Sequence, residues 1–186
     1  LSHGGAGKTI LAEAMLHVAG MTSRLGTIED GTTVSDYEPE EIRRESSTQT
    51  SILTCPWRGH RVNVIDTPGY ADFRGETISG IRVADGAVVV VAASSVIEVG
   101  TRQIWQLVDE HKLPRFVYIS KMDRENADFE RVMASLSEGF GNHCVAVTVP
   151  IGAEAGFSGI VNLLDPDSKP PDSIRQEVET ARERLV

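Results

Sequence analysis

The chain has 186 residues, 40% of them hydrophobic, which is an ordinary composition for one globular domain with a sizeable core. It contains no apolar run near the roughly eighteen residues that a membrane span requires and no secretory signal, so we expect a cytoplasmic protein without membrane contact. A net charge of −9 argues against a broad nucleic-acid-binding surface here, although a ribonucleoprotein partner could be contacted by a local patch or by another domain.

A glycine-rich run opens the chain and leads into the first predicted helix. Apolar residues recur at helical spacing over residues 9–19, and Gly20 is a suitable stop. The polar segment 21–51 that follows is long for a connection without structure, and such segments are usually functional. Its place after the helix favours a switch region over a plain acidic loop. Within it, we expect the acidic run 38–41 to be an exposed face and not a metal site.

The rest of the chain alternates between strand and helix patterns. Residues 51–57 and 61–65 predict two strands joined by a short turn, hence an antiparallel hairpin. The other predicted elements are strands over 87–93, 115–119 and 145–149, and helices over 72–84, 102–112, 127–139 and 173–185. Residues 150–172 are rich in loop-forming residues. This alternation predicts a three-layer α/β/α fold whose sheet is mostly parallel, with one antiparallel hairpin strand.

The opening run, Ser-His-Gly-Gly-Ala-Gly-Lys-Thr, has the pattern of a phosphate-binding P-loop. Such a loop needs glycines because backbone N–H groups must approach phosphate oxygens without side chains in the way. The Lys8 ammonium would contact the β- and γ-phosphates, and the Thr9 hydroxyl would bind Mg²⁺. Ser2 stands at the usual first glycine position, at a modest geometric cost. The predicted phosphate-binding residues are His3, Gly4, Gly5, Ala6, Gly7, Lys8 and Thr9.

A second motif, Asp-Thr-Pro-Gly, follows the strand predicted over 61–65. An aspartate at the carboxyl end of a strand can hold Mg²⁺ through water in P-loop NTPases, and Asp66 is the candidate. Gly69 lets its backbone N–H reach a γ-phosphate. Because a plain turn also uses Pro-Gly, this motif indicates a nucleotide site only through its position after the P-loop.

A third motif, Ser-Lys-Met-Asp at 120–123, follows the strand predicted over 115–119. The Asp123 carboxylate can accept two hydrogen bonds from guanine, and adenine lacks these donors, so an adenine would leave a buried acceptor unpaired. The aliphatic part of Lys121 can cover the base. Three motifs in this order, each at a strand end, predict a P-loop NTPase fold that binds guanine nucleotides.

The motifs resemble those of translational GTPases, specifically elongation factor G and its close paralogues, over essentially the whole chain. The matching stretches are DGTTVSDYEPEE, CPWRGHRVNVIDTPGYADF, SKMDRENADF and PIGAEAGFSGIVNLL. The resemblance implies an enzyme that converts GTP to GDP and phosphate, with Mg²⁺ as cofactor and the ribosome as partner. It also implies that the nucleotide controls a conformational switch. We expect a monomer.

The resemblance also divides the chain into two parts. Residues 1–149 correspond to the GTP-binding domain, without its fifth motif and with the first strand reduced to Leu1. Residues 150–186 correspond to the beginning of a subdomain that the family inserts into this domain. We therefore expect a part of a longer multidomain protein.

Several positions depart from the family pattern. The switch threonine that binds Mg²⁺ corresponds to Ser47 by counting back from Asp-Thr-Pro-Gly, and Thr48 is the alternative. Ser120 replaces the asparagine that braces the loop and the base, which lowers the expected affinity more than the guanine preference. Tyr70 replaces the histidine that positions the attacking water, and so brings no imidazole, the side chain that titrates near neutral pH.

These carried-over roles complete the predicted site. The implied catalytic residues are Lys8, Gly69 and Tyr70, and the implied metal ligands are Thr9, Ser47 and Asp66. Because Tyr70 lacks the imidazole, we expect a low intrinsic rate. One alternative is a nucleotide-gated binding module with little or no hydrolysis, which the substituted motif positions favour. Another is an ATP-using P-loop enzyme such as a kinase, against which Asp123 argues.

Overall fold

A computed structural model describes residues 1–185, so Val186, the last residue of the predicted segment 150–186, lies outside the described residues. The α-helices are α1 (Lys8–Val18), α2 (Pro39–Arg44), α3 (Arg74–Val83), α4 (Val99–Glu110), α5 (Phe129–Phe140) and α6 (Arg175–Leu185). The strands are β1 (Ser51–Trp57), β2 (His60–Asp66), β3 (Ala87–Ala92), β4 (Arg115–Ser120), β5 (Thr148–Ile151) and β6 (Gly159–Asn162). None of the described helices is both long and apolar enough to cross a membrane.

The described chain divides into two compact units. The first contains Leu1–Val91 and Glu98–Tyr118, and the second contains Ala92–Ile97 and the chain from Ile119 onward. We describe each unit separately below.

In the first unit, β1 and β2 form the predicted antiparallel hairpin. Its register runs from Ser51 opposite Asp66 to Trp57 opposite His60. Helix α1 packs on one face of this hairpin, where its buried residues meet the inward side chains of β1. The buried residues of this cluster are Ala12, Leu16, Leu53 and Cys55. The hairpin therefore carries Asp66 to the end of β2.

Strand β3 is the buried apolar strand that its composition predicted, with Val89, Val90 and Val91 almost fully buried. It pairs with β4. The Ala87 N–H donates to the Pro114 carbonyl, and six residues later the Ala93 N–H donates to the Ser120 carbonyl. Equal steps along both strands mean that the two strands run in the same direction.

Leu1 extends this parallel pairing on the other side of β3, within the first unit. Its amino group donates to the Val88 carbonyl at 2.8 Å, and its carbonyl accepts the Val90 N–H at 2.9 Å. The chain then passes directly into the P-loop, so the loop starts at the end of a parallel strand position.

In the second unit, β5 and β6 form a second antiparallel hairpin, which the sequence did not predict. The strand predicted over 145–149 begins only at Thr148. Strand β6 lies in the stretch predicted to be loop, where a short Ile-Val pair between glycine and asparagine gives too weak a pattern to identify. Helix α6, predicted over 173–185, packs on this hairpin, with Val178 fully buried in the same cluster as Val161.

The remaining predicted helices are present with shifted ends. The helix predicted over 72–84 starts as a 3-10 turn, Ala71–Phe73, and continues as α3. The polar segment 21–51 contains the short helix α2. One expectation about this segment is wrong: Glu41, in the acidic run 38–41, is only 1% exposed. Its carboxylate is buried because it accepts backbone hydrogen bonds from residues that follow α2.

Candidate nucleotide and metal site

The opening glycine-rich run forms a tight loop that ends at the start of α1. Gly5 and Gly7 have φ angles of 76° and 94°, a left-handed region that side chains with a Cβ rarely adopt. Gly7 is the N-cap of α1 and makes no side-chain capping hydrogen bond. The helix N-terminus, with its partial positive charge, is therefore directed at the loop, which is the arrangement that binds phosphate groups.

Four oxygen-bearing side chains of the first unit form a chain of contacts beside this loop. The Thr9 hydroxyl donates to Oδ2 of Asp66 at 2.8 Å and lies 3.2 Å from Oγ of Ser47. The Ser47 hydroxyl donates to Oδ1 of Asp36 at 2.7 Å. The structure thus brings together all three predicted metal ligands and adds Asp36. The hydroxyl of Thr48 instead points to Oε1 of Glu41 at 3.4 Å.

This donor set fits a small, hard divalent cation. Hydroxyl and carboxylate oxygens are the ligands that Mg²⁺ prefers. Thr9, Asp36 and Asp66 are 4–6% exposed, and Oδ2 of Asp36 has no hydrogen-bond partner among residues 1–185. A buried carboxylate oxygen without a partner is costly, and a cation at this point would satisfy it.

Burial also governs the charges of this cluster. It raises the pKa of Asp66 above its usual range, an effect that the Thr9 hydroxyl and the Lys8 ammonium oppose. It likewise raises the pKa of Asp36, against the hydrogen bond from Ser47. Burial lowers the pKa of Lys8, while Asp66 and Asp36 act in the opposite direction. A bound cation would stabilise the charged forms of both carboxylates.

The three predicted catalytic residues lie against the P-loop. The Lys8 ammonium donates to the His3 carbonyl at 3.0 Å, and a Cβ built on Gly69 would overlap that ammonium nitrogen. A Cβ built on Gly4 would lie 2.9 Å from Cζ of Tyr70, so the Tyr70 ring packs on the loop backbone. Only glycine fits at positions 4 and 69 without displacing these neighbours.

The side chain of His3 is held from outside the loop, by residues that sequence reasoning missed. Its Nε2 lies 3.1 Å from Oε1 of Glu98, and its Nδ1 lies 3.2 Å from Oγ1 of Thr101 and from Oγ of Ser2. Glu98 is the N-cap of α4, and Thr101 is fully buried in its first turn. No sequence motif marks either residue, because the contact joins positions nearly a hundred residues apart.

The predicted base-recognition residues belong to the second unit, at the end of β4. Ser120 is 8% exposed, and Lys121 has a positive φ of 60°. Met122 anchors the loop in a core cluster with Ala93. The Asp123 side chain is 68% exposed, and its Oδ2 lies 3.8 Å from Nε of Arg124. The carboxylate is therefore accessible to a ligand.

Sequence reasoning also missed Asp36. No motif distinguishes it from the other acidic residues of segment 21–51. Its signal is purely spatial, because α2 folds the segment so that Asp36 and Ser47 meet.

A glycine-rich loop between a parallel strand position and a helix, with an aspartate from the end of another strand bonded to the first turn of that helix, defines a P-loop nucleotide-binding domain. The model of the elongation factor Tu GTP binding domain matches residues 1–181. The chain belongs to this family.

Individual relatives agree with that assignment. Elongation factor G 2 from Streptomyces coelicolor is 41% identical over 163 residues, which are 88% of this chain and 24% of the relative. Elongation factor G from Fervidobacterium nodosum is 36% identical over 165 residues, 89% of this chain and 24% of the relative. The resemblance to elongation factor G is thereby confirmed. The chain spans about a quarter of the length of these relatives.

The fold has a close counterpart among solved structures. The crystal structure of ttk003000868 from Thermus thermophilus superposes with a TM-score of 0.92 at 30% identity. It covers 100% of this chain, which corresponds to 29% of that protein. The predicted α/β fold class is confirmed.

Proposed function

We propose that this domain binds GTP together with Mg²⁺ and hydrolyses it to GDP and phosphate, as the GTPase domain of a translation factor of the elongation factor G type. The observation that carries the proposal is the oxygen cluster beside the P-loop, in which Thr9, Asp36 and Asp66 are buried and Ser47 is half-buried. Membership of the elongation factor Tu GTP binding domain family supports it.

The P-loop would hold the phosphates. Backbone N–H groups of residues 3–9 and the N-terminus of α1 would surround the phosphate oxygens. The Lys8 ammonium, which bonds the His3 carbonyl in this structure, would turn to the β- and γ-phosphates. Its lowered pKa has burial as its main cause, and negative phosphates would offset that burial.

Thr9, Ser47, Asp36 and Asp66 would hold the cation, directly or through water. When a cation is held there, it would supply the positive charge that phosphoryl transfer requires. We take Ser47 and not Thr48 as the switch ligand, since Oγ of Ser47 lies 3.2 Å from the Thr9 hydroxyl.

Ser120, Lys121 and Asp123 would recognise guanine. The exposed Asp123 carboxylate would accept two hydrogen bonds from the base, and the Lys121 stem would cover it. The single hydroxyl of Ser120 makes fewer bonds than an amide, so we expect moderate nucleotide affinity.

Hydrolysis would use Gly69 and Tyr70. The Gly69 N–H would donate to the γ-phosphate, and the Tyr70 hydroxyl would orient the attacking water. Because Tyr70 brings no imidazole to act as a general base, the intrinsic rate is expected to be low.

The ribosome is the proposed partner, and the segment 21–51 is the proposed switch that reports the bound nucleotide. We propose that the protein works in the cytoplasm as a monomer. We further propose that residues 1–149 form the GTP-binding domain and residues 150–186 begin an inserted subdomain. The β5–β6 hairpin and α6 share a hydrophobic core, and the compact unit that contains them also includes the chain from Ile119 to β5.

Two measurements on the purified protein test the proposal. Competition between GDP and ADP should favour GDP by at least tenfold, and stronger ADP binding would sink the guanine assignment. Single-turnover GTP hydrolysis should be slow alone and faster with ribosomes. Tight GTP binding without hydrolysis in either condition would instead support a nucleotide-gated binding module. The positions that depart from the family motifs favour that alternative; they are Ser2, Ser47, Tyr70 and Ser120.

A further inference from the structure

Glu41 is a buried carboxylate that the proposed reaction does not use. Its Oε1 accepts the backbone N–H of Thr48 at 2.8 Å and that of Gln49 at 3.1 Å. Its own carbonyl accepts the Ser46 N–H at 3.1 Å. Glu41 therefore holds the chain on both sides of Ser47. A carboxylate that accepts several N–H groups away from water is a strong and directional anchor.

Glu13, on the P-loop helix α1, holds the chain that precedes Asp36 by a bond to Val34. It is 1% exposed, and its Oε1 accepts the Val34 N–H at 2.5 Å, two residues before Asp36. A Cβ built on Gly26 would lie 2.7 Å from Oε2 of Glu13, so the chain passes tightly around this carboxylate. The two anchors thus bracket the metal-ligand candidates Asp36 and Ser47.

We propose that Glu41 and Glu13 are positioning residues, which place the Ser47 and Asp36 oxygens for the divalent cation. The inference rests on the proposed function, because it assumes that a cation binds there. Neither carboxylate has to touch the cation or the nucleotide. Each acts through the backbone beside a ligand, as groups that orient metal ligands generally do.

The geometry distinguishes two roles of Glu41. Its Oε2 accepts the Glu38 N–H at 3.4 Å, and Glu38 in turn accepts from the Glu41 backbone, which together cap α2. Glu38→Ala removes half of this cap and leaves the bonds to Thr48 and Gln49 intact. Glu41→Ala removes its part of the cap and also the bonds to Thr48 and Gln49. Glu41→Gln keeps one acceptor oxygen of the same reach, so it should preserve most of the hold on residues 48 and 49.

The test measures how Mg²⁺ slows the release of a fluorescent GDP from the purified protein. For Glu41→Ala, the Mg²⁺ concentration that gives half of the slowing should rise by about tenfold. A change of this size is typical when a group that orients a metal ligand is lost. Glu41→Gln should restore most of the wild-type value, and Glu38→Ala should match wild type. Release in EDTA should be the same for all four proteins.

Hydrogen exchange provides a second measurement that does not depend on activity. The amides of Thr48 and Gln49 should exchange faster in Glu41→Ala and stay protected in Glu38→Ala. Should Glu41→Ala fail to fold, Glu13→Ala carries the same expected rise in Mg²⁺ requirement, with faster exchange at Val34.

The outcomes separate the inference from the proposed function. Wild-type GDP release that does not depend on Mg²⁺ overturns the metal site and the inference together. Mg²⁺-dependent release in wild type with an unchanged Mg²⁺ requirement in the Glu41 and Glu13 variants overturns the inference alone. Equal shifts in Glu41→Ala and Glu38→Ala also overturn it, because capping of α2 then explains the effect.

Discussion

Tyr70 follows the Asp-Thr-Pro-Gly motif, and its ring packs on the backbone of Gly4 in the P-loop. Tyr70 as a whole is 53% exposed. An imidazole is the side chain that most often exchanges protons near neutral pH, and Tyr70 puts a phenol ring in its place. The residue therefore bears directly on the expected slow hydrolysis.

Tyr70→His should raise the single-turnover rate of GTP hydrolysis by about tenfold or more, because positioned acid–base groups contribute on this scale. Tyr70→Phe, which removes only the hydroxyl, should hydrolyse no faster than wild type. The rate should be measured at saturating GTP, with and without ribosomes. Equal rates for the histidine and phenylalanine variants would contradict a role for the ring at position 70.

Asp123→Asn should change the base preference. An asparagine offers one acceptor and one donor, so it leaves a guanine N–H unpaired but matches the carbonyl of xanthine. A buried polar group left unpaired costs about 1–3 kcal/mol, so GDP affinity should fall by roughly 5- to 150-fold. Affinity for xanthosine diphosphate should rise. Isothermal titration with both nucleotides checks this, and unchanged GDP binding would remove Asp123 from the site.

At the scale of elements, α1 supports the site through its buried face. Leu16 is 4% exposed and packs with Leu53 and Cys55 of the β1–β2 hairpin. This contact joins the P-loop helix to the hairpin that carries Asp66. The stability of the pair therefore determines how well Thr9 and Asp66 are held together.

Leu16→Ala should lower the free energy of unfolding by about 2–5 kcal/mol, since it leaves a cavity in this cluster. Val18→Ala, on the exposed face of the same helix at 67% exposure, should change it by less than about 0.5 kcal/mol. Urea unfolding followed by circular dichroism compares the two variants. Similar losses would mean that α1 does not pack on the hairpin in solution.

At the scale of the whole molecule, ligand binding should appear as added stability. With Mg²⁺ present and GDP at one hundred times its dissociation constant, the protein should gain about 2.7 kcal/mol against unfolding. ADP at the same concentration should give no gain, and EDTA should reduce the GDP effect. Thermal denaturation measures these shifts, and equal stabilisation by ADP would contradict guanine specificity.

Much of the fold followed from patterns along the chain. Helical spacing, the continuous apolar run of β3 and the turn between β1 and β2 are local signals, so they placed most elements within a few residues. Strand β6 and helix α2 were missed because short segments take their structure from the partner they pack against. For β6 that partner is β5, and for α2 it is the chain that Glu41 holds.

The sequence by itself determined that the glycine-rich run leads into a helix and that Asp66 and the Ser-Lys-Met-Asp motif stand at strand ends, because these depend on residue types at a fixed spacing. Only the tertiary structure decided that Ser47 of segment 21–51 meets Thr9, and that Asp36 joins this cluster through its hydrogen bond with Ser47. It also decided that Glu41 is buried and that Glu98 and Thr101 hold His3. These contacts join positions far apart in the chain, and no local pattern specifies which distant side chain reaches a given atom.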